Sequence, residues 1–266
     1  MQSAVVISAS GAAIGFVAAF LGIGGGVLIM PLLTVMFGLG HRRAVGTSLG
    51  VVMFVVSAGI VVDVFRSSEA TRPALLAAVC IVPFAVLAAR AVAPWIRHVP
   101  VRVLRRIFAV VLLLAAAKML GVPPFSGTAS QGWLSYQDMS VAGYIALPVL
   151  GLFVGTISAL VGIGGGVVVI PALGLLFFDL TMLQCRATSL LVVAPTAFMG
   201  FSRHLAHGTA NLDYVRRLAP WCILGSLIGS YVAHSVDTSL FQTLFGAFLL
   251  LVAVRLFLTA PPEPAV

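Results

Sequence analysis

Long uncharged runs divide the chain into two halves with the same pattern. In the first half, runs free of Asp, Glu, Lys and Arg cover residues 1–41, 44–62, 73–89 and 107–117. In the second half, such runs cover residues 139–178, 187–202, 218–235 and 238–254. A transmembrane helix needs about 20 apolar residues. Each half therefore predicts one very long apolar segment followed by three transmembrane helices.

The composition places these runs in a lipid bilayer. Hydrophobic residues make up 61% of the 266 residues and charged residues 8%, whereas soluble domains carry about 25% charged residues. We therefore expect an all-α integral membrane protein with about eight to ten membrane segments. The net charge of +8 comes from Lys and Arg scattered over short connecting segments. That pattern excludes a nucleic-acid-binding groove.

The long run of each half contains the same glycine cluster. The stretch "GIGGGVLIMP" occupies residues 22–31, and "GIGGGVVVIP" occupies residues 162–171. Downstream, "GTSL" at 46–49 matches "ATSL" at 187–190. Similarity at this separation indicates a duplicated unit. We predict a first repeat at 1–120, a linker with interfacial anchors Trp133 and Tyr136 at 121–138, a second repeat at 139–258 and a tail at 259–266.

The length of the first run and the distribution of basic residues indicate inverted repeats. A helix of about 40 residues would be roughly 60 Å long, twice a hydrocarbon core of about 30 Å, so the long run must enter and return. Eleven of the 15 Lys and Arg residues then lie on one side and four on the other. Because cytoplasmic loops are rich in Lys and Arg, we expect both termini in the cytoplasm and the linker outside. Each long run is either a full Gly-broken hairpin or a re-entrant segment.

Four glycines within five residues predict a break in each long helix. Each glycine gives up about 1 kcal/mol of helix propensity relative to Ala. Irregular backbone at membrane depth is tolerated only where it is buried in protein or lines a cavity. Because proline favours the first turn of a helix, Pro31 and Pro171 predict a short second helix beginning near each proline. Close helix packing by glycine is the alternative explanation.

The start of a helix carries free N–H groups and a partial positive charge, so two breaks brought together near the midplane predict a site for a small anion. Arg203 is a further candidate for anion attraction, and Asp63, His204 and His207 are candidates for proton coupling. Arg186, unmatched in the first half, is a similar candidate; the alternative is that these groups mark the membrane edge. The Thr-Ser pairs that follow the breaks are also candidates for substrate binding, and the alternative is that they cap helices. The predicted substrate-binding residues are Gly22, Gly24, Gly25, Gly26, Pro31, Thr47, Ser48, Gly162, Gly164, Gly165, Gly166, Pro171, Thr188 and Ser189.

The sequence does not indicate an enzyme. The stretch "RHLAHGTANLD" contains His204, His207 and Asp213, but it lacks the H-E-x-x-H arrangement of a metalloprotease. The three cysteines are isolated from one another, so neither a disulfide framework nor a zinc site is indicated. We therefore expect no catalytic residues, no metal and no cofactor.

The paired G-x-G-G-G-x-x-x-x-P segments, each followed by a "GTSL" or "ATSL" span, resemble the sulfite exporter TauE/SafE family of bacterial membrane permeases. The resemblance covers nearly the whole chain. It implies a multi-pass secondary transporter of the bacterial inner membrane for sulfite, sulfoacetate or related organosulfonates, and it points to both glycine clusters, both prolines and both Thr-Ser pairs. We expect alternating access around the paired breaks. A passive anion channel or a cation or metal carrier is the alternative, and a proton or other coupling ion and a homo-oligomer are left open.

Overall fold

The computed structural model describes residues 4–66, 68–92, 101–122, 136, 141–161, 165–177 and 179–258. These residues form helices and connections, with no strand, as predicted. A π-helical turn, Leu32–Met36, extends the second helix. The helices are α1 (Ala4–Leu21), α2 (Gly26–Pro31), α3 (His41–Arg66), α4 (Ser68–Val92), α5 (Val101–Met119), α6 (Val141–Val161), α7 (Gly166–Leu176), α8 (Met182–Ala206), α9 (Leu212–Ala233) and α10 (Thr238–Leu258).

Several of these helices suit a membrane. Three described stretches are long and apolar enough to span one, namely Arg42–Arg66, Met182–Ala206 and Thr238–Arg255. Shorter apolar stretches occur in α1, α2, α4, α5 and α6. Large apolar side chains are exposed on the outer helix faces, among them Phe65 and Leu258. An apolar outer surface is what contact with lipid requires.

The first long run is a helix, a glycine-rich break and a second helix, as predicted, and the second run has a helix on each side of residues 162–164, which lie outside the described part. The predicted start of the second helix is wrong in both runs. Helix α2 begins at Gly26 and α7 at Gly166, so each proline is the sixth residue of its helix. Gly25 and Gly165 take left-handed N-cap conformations, with φ of 85° and 77°. The glycines therefore set the start of each helix. The proline instead removes a hydrogen bond inside it.

The largest helix interfaces join one half of the chain to the other. Helix α1 packs on α9, and its equivalent α6 packs on α4. Helices α3 and α8 pack on each other, as do α5 and α10. Further interfaces join α3 to α9 and α4 to α8. Each half therefore buries its helices mainly against the other half.

Glycines bring the paired helices close together. A Cβ atom added to Gly15 of α1 would overlap the backbone of Cys222 in α9. At the equivalent position in the second half, a Cβ on Gly155 of α6 would overlap the backbone of Ala85 in α4. Small residues allow such close crossings between membrane helices. The packing alternative for glycine thus applies here, outside the two breaks.

The direction of the helices shows how the first long run returns. Along α9, Gly225 lies against Ala12 of α1 and Gly229 lies against Phe16, so positions on the two helices advance together. Positions along α3 also advance with those along α9, from Val55 facing Ser226 to Gly59 facing Ser230. Helices α1 and α3 therefore run in the same direction, and the chain turns back between them through α2.

Three residues of the predicted linker are described: Gly121 and Val122 are exposed, whereas Tyr136 is buried. Tyr136 donates its hydroxyl to the Pro73 carbonyl oxygen at 2.7 Å, and its backbone N–H donates to the Asp179 carboxylate at 2.7 Å. Its ring meets Phe177 edge to face. Burial raises the pKa of the Tyr136 phenol to about 12. Tyr136 thus ties the linker to both halves, while Trp133 lies outside the described residues.

Candidate functional site

The glycine breaks rest on backbone conformations that suit glycine. Gly22, Gly24 and Gly25 have φ of 72°, 76° and 85°, and Gly165 has φ of 77°. Residues other than glycine rarely adopt this left-handed backbone conformation. Gly162 and Gly164 lie outside the described residues. Gly25 and its equivalent Gly165 therefore share one backbone conformation at the start of the second helix in each half.

The two breaks contact each other. A Cβ atom on Gly166 would lie 2.8 Å from the carbonyl oxygen of Ile23. The hydroxyl of Ser189 makes a bifurcated hydrogen bond to the carbonyl oxygens of Gly22 at 2.7 Å and Gly166 at 3.2 Å. Ser189 is fully buried. One side chain of α8 therefore joins the break of the first half to that of the second.

Both helices that leave the breaks begin without a side-chain cap. The carbonyl oxygen of Gly25 accepts hydrogen bonds from the N–H groups of Leu28 and Ile29, and neither Gly25 nor Gly165 provides a capping side chain. The first N–H groups of a helix have no partner within it. The two starts therefore offer backbone donors and a partial positive charge, which suit an anion.

A buried arginine lies directly beside the first break. Arg186 is 0% exposed. Its Nη1 donates to Asp63 Oδ1 at 2.8 Å and its Nη2 to Ser230 Oγ at 2.5 Å. Its Nε donates to the carbonyl oxygens of Ala19 at 2.9 Å and Phe20 at 3.1 Å. A buried charge needs such compensation. Arg186 therefore holds the last turn of α1 as well as the carboxylate of α3.

Asp63 is shared by three donors. Besides Arg186, its Oδ1 accepts from Ser230 Oγ at 2.7 Å and lies 3.0 Å from His234 Nε2. An ionised carboxylate only accepts hydrogen bonds, so His234 carries a hydrogen on Nε2 in this arrangement. We call Asp63, Arg186, Ser230 and His234 the ionic cluster.

The ionic cluster and the first break form one packed unit. A Cβ atom on Gly22 would lie 2.5 Å from Arg186 Cγ. Ser189, three residues after Arg186 on α8, bonds to the Gly22 carbonyl oxygen. A movement of Arg186 would therefore disturb Gly22 directly.

Helix α9 meets α3 through a ladder of polar contacts. The α9 residues are spaced four apart, so they lie on one face of the helix, and so do their partners on α3. We call these contacts the α3–α9 ladder. Its pairs are Ser226 with the Val55 carbonyl oxygen at 2.6 Å, Ser230 with the Gly59 carbonyl oxygen at 3.2 Å and His234 with Asp63 at 3.0 Å.

The Thr-Ser pairs are buried, but they differ in their contacts. Thr47 donates to the Arg43 carbonyl oxygen, Ser48 to that of Val45 and Thr188 to that of Gln184. Thr47 also accepts from the Asn211 N–H at 3.0 Å. Each of these hydroxyls donates to a carbonyl oxygen of its own helix, whereas a cap accepts from a free N–H group at the helix start. At the start of α8 that cap is Thr181. Of the four hydroxyls, the Ser189 hydroxyl bonds to both breaks.

The basic residues at the end of α8 are not brought to the breaks. Arg203 and His207 are exposed, and His204 is partly buried. Nδ1 of His204 lies 2.8 Å from Thr209 Oγ1. Arg203 follows Arg186 by 17 residues on one helix, which corresponds to about 25 Å. Asp63 and Arg186 therefore meet near the first break, while Arg203, His204 and His207 lie at the opposite end of α8.

Ser230 and His234 are not among the residues predicted from the sequence. Both lie in a run read as an ordinary transmembrane helix, and nothing in the first half matches them. Their signal was the spacing of Ser226, Ser230 and His234, which repeats every four residues in an apolar run. Such a polar stripe on one helix face indicates a polar partner inside the bundle.

A partly open cavity of about 190 Å³ lies beside the ionic cluster. It is found where α8 and α10 begin and α9 ends. Among the described residues there is no group of three or more His, Cys, Asp and Glu that could hold a metal ion. The cavity is lined by Met182 and Leu183 of α8, Ala233 and His234 of α9, and Thr238 and Phe241 of α10.

The chain is similar to several proteins described as probable membrane transporter proteins. The probable membrane transporter protein YunE of Bacillus subtilis is 36% identical over 130 residues, which cover 46% of each chain. A probable membrane transporter protein of Haemophilus influenzae is 29% identical over 123 residues, or 45% of each chain. The probable membrane transporter protein MJ0441 of Methanocaldococcus jannaschii is 26% identical over 210 residues, 76% of this chain and 72% of its own.

The alignments with YunE and the Haemophilus protein span less than half the length of those relatives. No solved structure matches the chain. A family model described as sulfite exporter TauE/SafE matches residues 1–119 and 147–265, which is most of the sequence. With its helical membrane architecture, this match shows that the chain belongs to the sulfite exporter TauE/SafE family.

Proposed function

We propose that the protein is a secondary transporter that carries small sulfur-containing anions, such as sulfite, sulfoacetate or related organosulfonates, across a bacterial inner membrane. The contact between the two breaks carries this proposal. Ser189 joins Gly22 to Gly166 within the protein interior. Irregular backbone in a membrane protein is tolerated where it is buried or lines a cavity, and broken helices of paired repeats are where secondary transporters bind their substrates.

The proposed anion site combines the two helix starts with the neighbouring hydroxyls. Gly26 and Gly166 begin α2 and α7, and both starts lack a capping side chain. Their N–H groups suit the oxygens of a sulfite or sulfonate group. The site comprises the predicted glycines, Pro31, Pro171 and the Thr-Ser pairs. Arg203, exposed on α8, attracts anions at the membrane surface, and Asp63, His204 and His207 remain coupling candidates.

The helix packing supports inverted repeats and alternating access. Helices α3 and α8, which carry the matching "GTSL" and "ATSL" segments, run antiparallel: Gly46 lies against His204, and Gly59 lies against Leu190. Equivalent helices of repeats that run in opposite directions are expected for inverted topology. In this topology the termini are cytoplasmic and the linker is external. The repeats at 1–120 and 139–258 then rock against each other around the breaks.

Flux through the reconstituted full chain tests the proposal. Proteoliposomes are given isotope-labelled sulfite or sulfoacetate, with protein-free liposomes as the blank. We expect saturable uptake that is accelerated by the unlabelled anion on the opposite side, as in a carrier. Anion flux without this acceleration would indicate a channel. Flux of monovalent or divalent cations without anion flux would contradict the proposal.

Two serines of α8 provide a matched pair of variants. Ser189→Ala removes the hydroxyl that joins the two breaks, and we expect it to reduce the saturable uptake. Ser202→Ala removes an exposed hydroxyl that bonds to its own helix, at 2.8 Å from the Phe198 carbonyl oxygen, and should leave uptake unchanged. Equal uptake by both variants would show that the contact between the breaks does not serve transport.

A further inference from the structure

We propose that His234, together with Asp63, is the proton-binding site of this transporter. The charge state of His234 controls how strongly Arg186 holds the end of α1 beside the first break. This inference rests on the proposed function, because the bound proton accompanies the anion. Neither His234 nor Ser230 is among the coupling candidates predicted from the sequence.

The location of His234 gives the proton a path. Its side chain is 7% exposed, yet it lines the cavity of about 190 Å³ at the ends of α8, α9 and α10. Its Nε2 lies 3.0 Å from Asp63 Oδ1 on the protein side. Histidine is the side chain that most readily changes charge near neutral pH. A proton can therefore enter from the cavity and be held by His234 against the carboxylate.

The charge balance of the ionic cluster gives the proton a function. With neutral His234, the charges of Arg186 and Asp63 cancel, and both side chains are buried. Protonation of His234 adds one positive charge to the cluster. Net charge is costly in a buried environment unless a counter-ion is present. A monoanion at the adjacent break supplies that counter-ion, so the proton and the anion favour each other's binding.

The contacts of Arg186 link the charge state of His234 to the first break. Asp63 Oδ1 accepts from Arg186 and from His234. A charged His234 competes for this oxygen and weakens its bond to Arg186. Arg186 also holds the Ala19 and Phe20 carbonyl oxygens and packs on Gly22. Protonation thus loosens the side chain that fixes the end of α1.

Other ionisable groups lie around the site and define the controls. On α3, Arg66 stacks over the ring of Tyr231, with its Cζ 4.1 Å from the ring centroid. On α8, Cys185 is buried next to Arg186. Asp237, in the connection after α9, is exposed. Asp237→Asn is the matched control, since it removes a nearby carboxylate outside the ionic cluster.

The first test measures proton binding without transport. In detergent, the full chain with ¹³C-labelled histidine has five imidazole groups to observe by NMR, and His234→Gln identifies the signal of His234. In spectra recorded from about pH 5 to 8, we expect this signal to shift as the imidazole binds a proton. A His234 signal that does not change over this range would overturn the proposal. If His234→Gln does not fold, replacing the other four histidines one at a time gives the same assignment.

The second test separates coupling from anion binding, using labelled sulfite in proteoliposomes. In the wild type, an outside-acid gradient of one pH unit should increase sulfite accumulation up to about tenfold, the ratio of proton concentrations. His234→Gln should lose this response and bind sulfite more weakly, because it cannot take up the positive charge. At saturating sulfite it should keep exchange at equal pH within about twofold, because exchange needs no net proton movement. Asp237→Asn should keep both.

Each remaining result decides between the two proposals. Wild-type sulfite flux without a response to the pH gradient, or a response retained by His234→Gln, would overturn the proton site. Loss of exchange in a folded His234→Gln even at saturating sulfite would also overturn it, because His234 would then be needed for anion translocation itself. If the wild type carries no sulfite, the proposed substrate is wrong, and the NMR titration alone decides whether His234 binds a proton.

Discussion

Arg186 of α8 and Asp63 of α3 form an ion pair in which Nη1 and Oδ1 are 2.8 Å apart and the side chains are 0% and 5% exposed. The pair joins the two halves of the chain. Removing one partner of a buried ion pair leaves an uncompensated charge, which costs about 3–5 kcal/mol. This relationship leads to a prediction about stability that is independent of the substrate.

Asp63→Asn and Arg186→Met should each lower the free energy of unfolding by about 3–5 kcal/mol. The double variant should lose clearly less than the sum of the two, because neither charge is left alone. Unfolding in mixed detergent micelles measures all three, with Asp237→Asn as the control. Additive losses would show that the two side chains do not interact in the folded protein.

Gly15→Ala should destabilise the protein by about 1–3 kcal/mol, the usual cost of overpacking. A Cβ at this position would overlap the backbone of Cys222, so α1 and α9 would have to separate. Gly40→Ala is the matched control, since nothing lies within 4 Å of a Cβ at that position. The same unfolding assay compares them, and equal stability of the two variants would contradict the close crossing.

Tyr136→Phe should cost about 1 kcal/mol at neutral pH, through loss of the hydrogen bond to the Pro73 carbonyl oxygen. Because burial raises the phenol pKa from 10.0 to about 12, the folded state favours the protonated form. This stabilisation is complete below pH 10 and is lost as the pH rises to about 12.

Unfolding midpoints measured across this pH range test the sign. The wild type should lose more stability between pH 10 and 12 than Tyr136→Phe does. Tyr144→Phe removes a hydroxyl from a tyrosine that is 60% exposed and should follow the wild type. Parallel pH curves for the wild type and Tyr136→Phe would show that the phenol is not held protonated by the fold.

Labelling from outside the cell tests the inverted topology. In a variant without Cys80, Cys185 and Cys222, Gln131→Cys in the linker should react with a membrane-impermeant maleimide in intact cells. A cysteine added after Val266 should react only after the membrane is permeabilised. A protected linker or an externally accessible C-terminus would contradict the predicted orientation.

The repeated sequence predicted the helical class and the position of both breaks, because four glycines within five residues conflict with a continuous helix. It did not predict where α2 begins, since Pro31 suggested a start that the left-handed Gly25 determines instead. Asp63 and Arg186 were both singled out, but not as a pair. The two residues are 123 positions apart, so their contact depends on how the helices of the two halves pack together. The local sequence pattern around each residue carries no information about this packing.

The α3–α9 ladder has a consequence for movement between the two helices. Its polar groups repeat every four residues on both helices, which is close to one helical turn of about 5.4 Å. If α9 slides by one turn in either direction, a serine again faces a backbone carbonyl oxygen on α3. The partner of Asp63 changes, however: it becomes Ser230 in one direction and a residue beyond α9 in the other. Intermediate displacements leave buried hydroxyls without acceptors. The two helices therefore favour discrete registers over gradual sliding, and the registers differ in which side chain faces the carboxylate.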